Sequence, residues 1–217
     1  MRNIKKGLVL LMSLVLITVI FAGCKSKPKM EPDLAALGYY NFIVKGDKSD
    51  LPKIKGIDSK AEEAIKADKE TFSNEIKSAF KAAGLPVNDS QVEDVYKAAM
   101  ESLKQVSSSL VIVSHDENSA DIKIKTTYID MKALCEKASE NAVKEIKSEA
   151  TVAKDEQQLK NKASEIFIND IIREFKNANP SDTTKEKTFK FIIEDNYWVP
   201  KDEKQFGLDI SNMVIGQ

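Results

Sequence analysis

Little of the chemistry from which most active sites are built is present in this chain. Its 217 residues contain one histidine, His115, two cysteines, Cys24 and Cys135, and one tryptophan, Trp198. That is too small a Cys/His stock for a tetrahedral zinc site, and neither C-x-x-C nor H-E-x-x-H occurs. The eight glycines form no G-x-G-x-x-G and no G-x-x-x-x-G-K-[ST], so dinucleotide and P-loop signatures are missing. No D-x-[DN]-x-[DN]-G run marks an EF-hand. No metal and no cofactor is expected. Ser78-Ala79-Phe80-Lys81 spells S-x-x-K, but its companions S-D-N and K-T-G are missing, and Ser78 falls on the polar side of a helix. Close carboxylates such as Glu62-Glu63 and Asp155-Glu156 read as solvated helix faces. The sequence therefore predicts a non-enzyme with no catalytic residues.

Long hydrophobic runs are equally scarce, with one exception. Leu8 to Ala22 is apolar apart from Ser13 and Thr18, follows Arg2, Lys5 and Lys6, and leads into Ala22-Gly23-Cys24. A basic patch, an apolar run and small residues at a cleavage site make a secretory signal. The 15 residues of that run fall short of the ~20 that span a bilayer as a helix. The ending Ala-Gly-Cys resembles the lipobox of bacterial lipoproteins, with Phe21 standing where that motif more often has Leu. The resemblance implies cleavage between Gly23 and Cys24, and diacylglycerol on the Cys24 thiol. It also implies a protein anchored on the extracytoplasmic face of the cell membrane. Two alternatives stay open: an ordinary signal peptide whose mature chain happens to begin near a cysteine, and an uncleaved helical anchor.

The first 23 residues hold three of the 33 basic residues and none of the 34 acidic ones, which leaves the remaining 194 with a net charge of −4. Both signs are interspersed along the chain. Without a clustered basic face, nucleic acid is not an expected partner. With Cys24 taken by lipid, Cys135 has no intrachain partner, so no disulfide is expected. Cys135 itself, in Ala133-Leu134-Cys135, reads as a small buried residue at a helix start.

Residues 24–32 read as the lipidated cysteine and a flexible tether with two prolines, and 33–217 as a single α+β domain. A helix is expected over Asp33–Lys45, with Leu34, Leu37 and Phe42 on one face, ending at Gly46-Asp47. Ser59-Lys60-Ala61-Glu62 and Ser90-Gln91-Val92-Glu93 have the form of capping boxes. The apolar stripes Ile65, Phe72, Ile76, Ala79, Phe80, Ala83 and Val92, Val95, Tyr96, Ala99, Leu103, Val106 follow them. The period then drops to two. Leu110–Val113 and Ile122–Tyr128 form a hairpin about a polar turn at His115–Ala120, with Ile122, Ile124 and Tyr128 facing inward and Lys123, Lys125 and Thr127 facing water. Residues 131–178 lack Gly and Pro and read as two helices broken near Thr151–Asp155. A second hairpin turns at Asp195-Asn196 between Phe189–Glu194 and Tyr197–Val199, ahead of a short segment at Phe206–Val214. The order is α-α-α-β-β-α-α-β-β, with about four antiparallel strands packed on helices.

The aromatics Tyr39, Tyr40, Phe42, Tyr128, Phe189, Phe191, Tyr197 and Trp198 fall in the first helix and the strands. They form either a plain hydrophobic core or a half-open pocket to which Tyr40, Tyr128 and Trp198 would offer polar tips. The helix ending Phe-Ile-Val-Lys-Gly-Asp (42–47), the later antiparallel strands and the closing Asp-Asn-Tyr-Trp-Val-Pro (195–200) resemble cystatin-like or nuclear-transport-factor-like α+β rolls. Many Gram-positive surface lipoproteins with domains of unknown function look like this. The resemblance implies a roll with a long helical insertion at 131–178 and no catalytic residues. The functional expectation is a binding or interaction module held at the membrane through Cys24, with a protein partner at the cell surface. The alternatives are a small-ligand binder using an aromatic concave face and, less favoured, a surface enzyme.

Overall fold

Helix α1, Pro32–Lys45, begins with proline at its first position, where the missing N–H costs nothing. It ends at Gly46, whose φ of +65° lets its own N–H reach Phe42 O and the next N–H reach Asn41 O. The structure is a computed structural model that describes residues 28–54, 58–149 and 155–217. The expected signal segment, Gly23, Cys24, residues 25–27 and the break at Thr151 lie outside the described residues, as do the side chains of Ser59–Glu62 and Ile65. After α1 come a 3₁₀ turn at Leu51–Lys53, α2 (Asp58–Ala82), α3 (Asp89–Leu103), β1 (Ser108–His115) and β2 (Ser119–Thr126). The chain continues through α4 (Met131–Glu149), α5 (Glu156–Lys176), β3 (Lys185–Glu194), β4 (Tyr197–Pro200) and α6 (Glu203–Val214). This is the expected α+β order, with the C-terminal segment folded as a sixth helix.

The strands form one open antiparallel sheet in the order β1-β2-β3-β4. Ala120, Ile122, Ile124 and Thr126 line its inner face with Phe189 and Phe191 opposite, while Lys123 and Lys125 point outward to Glu186. Tyr128, expected to face inward, lies past the end of β2, and Thr126 takes the last inward position. Asp195 and Asn196 have φ of 48° and 67°, the paired left-handed conformations of a tight two-residue hairpin turn. β1 is one of the two edge strands. A bulge between Ile112 and Ser114 interrupts its ladder, and Val111, Ile112 and Val113 are exposed.

One core lies between the inner face of the sheet, α1 and α6. Here the sequence reading of α1 is corrected: Leu34 is 49% exposed, and the buried face is Ala35, Ala36, Tyr39, Tyr40 and Val44. Both flanks of this helix are apolar, so its sequence alone did not single out the packed one. Gly38 meets the 3₁₀ segment, where a Cβ would come within 2.5 Å of Ile54 Cδ1. Phe206 of α6 stands edge-on to Phe189, Phe191 and Tyr39, with ring centroids 4.8, 5.6 and 6.1 Å away. Lys187, on the inner face of β3, ties down the same helix by a 2.6 Å ion pair with Asp209.

A second core joins α2, α3, α4 and α5 through Phe80, Val95, Ala98, Ala99, Ala138, Ile168, Ile171 and Phe175. Met131 and Leu134 of α4 pack against both cores. The cap of α3 is displaced from its expected place. The reciprocal box is Asn88 with Gln91, both bonds 3.0 Å, which leaves Ser90 inside the helix. Ala79, expected in the α2 stripe, is exposed. Asp155 caps α5 by accepting from Gln158 N at 2.7 Å. Asp170 on α5 is 1% exposed and paired with Arg173, and its Oδ2 has no hydrogen-bond partner among the described residues.

Two stability outcomes follow. Tyr40→Phe removes the buried 2.5 Å hydrogen bond to Thr126 Oγ1. It should cost about 1 kcal/mol, because Thr126 still donates to backbone carbonyls. Arg173→Ala leaves the buried Asp170 carboxyl without its ion-pair partner, and should cost about 1–3 kcal/mol. Urea unfolding of the domain measures both. A Tyr40→Phe loss as large as that of a core truncation would mean that the hydroxyl does more than bond Thr126.

Candidate functional site

A four-stranded meander sends its first and third turns out of the same end of the sheet. At that end the tip between β1 and β2 touches β3, through Ile193 N–H donating to Asn118 O at 3.2 Å. The stretch Pro28–Glu31 runs in beside them ahead of α1. Its Lys29 N–H donates to Asn196 O at 3.4 Å, and its Nζ donates to Tyr197 Oη at 2.6 Å while lying 4.6 Å from the centre of that ring. Met30 packs on the first core. This strap and the two hairpin tips enclose a cleft of about 800 Å³.

The cleft has an apolar wall and a polar rim. Pro28, Met30, Ile193 and Trp198 supply the wall, and Glu31, Asp116, Glu117, Asn118, Asp195 and Asn196 the rim. The His115 ring stands edge-on to Trp198, centroids 5.5 Å apart. Asp116 shapes the tip from within: its carboxylate accepts from the N–H groups of Asn118 and Ser119 at 2.8 and 2.7 Å and from the Ser119 hydroxyl at 2.8 Å. These bonds, led by the Asn118 N–H, hold its carboxyl below the usual range. The rim thus combines acceptors and negative charge over an apolar floor.

The three aromatics singled out from sequence do not converge. Trp198 lies in the cleft wall with little of its surface exposed. Tyr40 is fully buried beneath the sheet, where burial pushes its phenol pKa up. Tyr128 is at the opposite end: Thr126, two residues before it, pairs with Lys185, whereas Trp198 pairs with Ile193. Its hydroxyl meets Thr183 at 3.2 Å, and Lys185 Nζ sits 5.5 Å from its ring centre. Cys135, expected to be buried, is exposed on α4. The protein around it nevertheless desolvates the thiol and pushes its pKa up, opposite to an activated nucleophile. Ser78 and Lys81 are both exposed on α2. His115, read as part of a turn, ends β1 and turns its ring to Trp198. Sequence reading placed the turn at His115–Ala120 but assigned neither it nor the strap to a site; two adjacent hairpins would have signalled them, had the β2–β3 pairing been known.

Among the described residues no group of three or more His, Cys, Asp or Glu side chains could hold a metal ion. No described helix is long and apolar enough to cross a membrane.

A family model described as "Domain of unknown function (DUF5105)" matches residues 24–206, and the chain belongs to that family. In fold it is similar to the crystal structure of a "putative lipoprotein (ycdA)" from Bacillus subtilis, with a TM-score of 0.61 and 18% sequence identity. The match covers 84% of this chain and 55% of the Bacillus one, so this chain spans about half the length of that protein. No curated protein matches the chain.

Since Trp198 is the sole tryptophan, its emission reports on the cleft. Lys29→Ala should red-shift that emission and speed amide exchange at 29–31. Global stability should fall by less than ~1 kcal/mol, as for other exposed polar contacts. An unchanged spectrum with unchanged exchange would show that Lys29 does not hold the strap.

Proposed function

We propose that this protein is a lipid-anchored extracytoplasmic binding module that acts without turnover, using the cleft between the strap and the hairpin tips. The observation that carries the reading is the position of that cleft. It is built in part from Pro28, Met30 and Glu31, within a few residues of the cysteine that the signal pattern marks for lipidation. The family match, which begins at Cys24, and the lipoprotein description of the Bacillus structure both favour the same anchor. In this reading the signal occupies 1–23, the mature chain starts at Cys24, and the protein meets its partner at the membrane surface.

A second reading, a small-ligand binder, draws on the apolar wall with Trp198 and His115 at its centre. It keeps Trp198 from the aromatic set and sets Tyr40 and Tyr128 aside. The packing of α1 across the inner face of the sheet also favours the likeness in shape to cystatin-like rolls.

The anchor is tested in cells with labelled fatty acid. The parent protein should take up label and the Cys24→Ala variant none, while the chain made without residues 1–23 should fractionate as soluble. Label retained on Cys24→Ala would overturn the assignment of the lipid to that residue. Turnover of any substrate by the 25–217 chain, lost on a single polar substitution in the cleft, would overturn the non-enzymatic part.

A further inference from the structure

Cys24 stands four residues before Pro28, where the described chain begins. A trans backbone advances at most ~3.6 Å per residue, so the two Cα atoms are at most about 14 Å apart. Past Pro28 there is no slack. Lys29 is bonded to the β3–β4 tip by backbone and side chain, Met30 is packed on the core, and Pro32 opens α1. Eight residues separate Lys185 from Ile193 along β3, which sets the two ends of the sheet ~26 Å apart at ~3.3 Å per residue. A lipid on Cys24 therefore reaches one end of the sheet and not the other.

From this geometry we propose that the domain stands on the membrane with both hairpin tips and the strap toward the bilayer, so that the cleft opens onto the lipid surface. The proposal rests on the reading of Cys24 as the anchor and adds an orientation to it. Side chains at this end agree with contact at the headgroups and not with insertion. Leu34, in the first turn of α1, is half exposed. Trp198 and Met30 are turned inward, and the tips carry Asp116, Glu117 and Asp195. Those carboxylates keep the tips out of the hydrocarbon, where a charge is costly, and at the level of the headgroups. The opposite end, with Tyr128, Thr183 and Lys185, faces away, and the C-terminus lies there: Ile129 N–H donates to Val214 O, and Gly216 packs against the Tyr128 ring. The partner that fits such a cleft is one presented at the lipid surface itself.

The single tryptophan allows a test without altering the cleft. The lipidated full-length protein is reconstituted in vesicles of phosphatidylcholine and phosphatidylglycerol carrying a headgroup nitroxide lipid, and quenching of Trp198 emission is read. For comparison, the unlipidated chain made without residues 1–23 is held on the same vesicles through a C-terminal hexahistidine and a nickel-chelating lipid. Trp198 should be quenched several-fold more in the lipidated protein than in the chain held by its C-terminus. Equal quenching, or stronger quenching in the C-terminally held chain, overturns the orientation. Failure of the anchor reading shows separately, as a parent protein without fatty-acid label, and overturns the orientation with it.

Discussion

The seating of α1 on the inner face of the sheet is the contact on which the rest depends. Ala35 and Ala36 bring the helix backbone close, and Tyr39, Tyr40 and Val44 fill the space beyond them. Tyr40 is fully buried and must satisfy its hydroxyl in the interior, and Thr126 is placed to receive it. Phe206 closes over Tyr39 and the two inward phenylalanines of β3. Since burying polar groups is tolerated only when they are bonded, the Tyr40–Thr126 pair adds its bond to the register in which the helix packs on the sheet. The strap runs straight into α1, so that register also places the strap.

From there the cleft follows by connectivity. An antiparallel meander puts alternate turns at the same end, and the strap arrives at the end where the two tight tips emerge. The helices α2 to α5 build their own core on the far side of Met131 and Leu134, and none of the described cleft-lining residues belongs to them. This division sets the helical core apart from the cleft, whose lining comes from the strap, the two hairpin tips and the strand residues beside them. Buried Asp170, with one oxygen unpartnered among the described residues, is an exception inside the helical core.

Much was legible in the sequence wherever a local rule had no competitor. The alternation at 122–126 and 189–193 could serve only one buried face, and Asp195-Asn196 was suited to a turn demanding two positive φ angles. Where two local solutions were nearly equal, the reading went astray. The first helix is apolar on both flanks, and on the expected flank Leu34 turned out exposed and Leu37 half-buried, while Phe42 packs against the core. Asn88 outcompeted Ser90 for the cap because a helix starting at Asp89 lets Gln91 bond back to Asn88. Tyr128 continued the alternating pattern by one step too many, because β2 ends where its pairing with β3 runs out at Lys185.

By itself the sequence determined the class of fold, the order of its elements and the pattern that marks Cys24, because propensity, periodicity and a contiguous signal are properties of neighbouring residues. Only the tertiary structure decided which aromatics are core and which line a cleft. It alone brought His115 to Trp198, 83 positions further along the chain, and it alone bound Lys29 to Tyr197, 168 positions further along. Those meetings depend on how β2 pairs with β3 and where α1 comes to rest. Both are set by the summed burial of a whole face and not by any local signal.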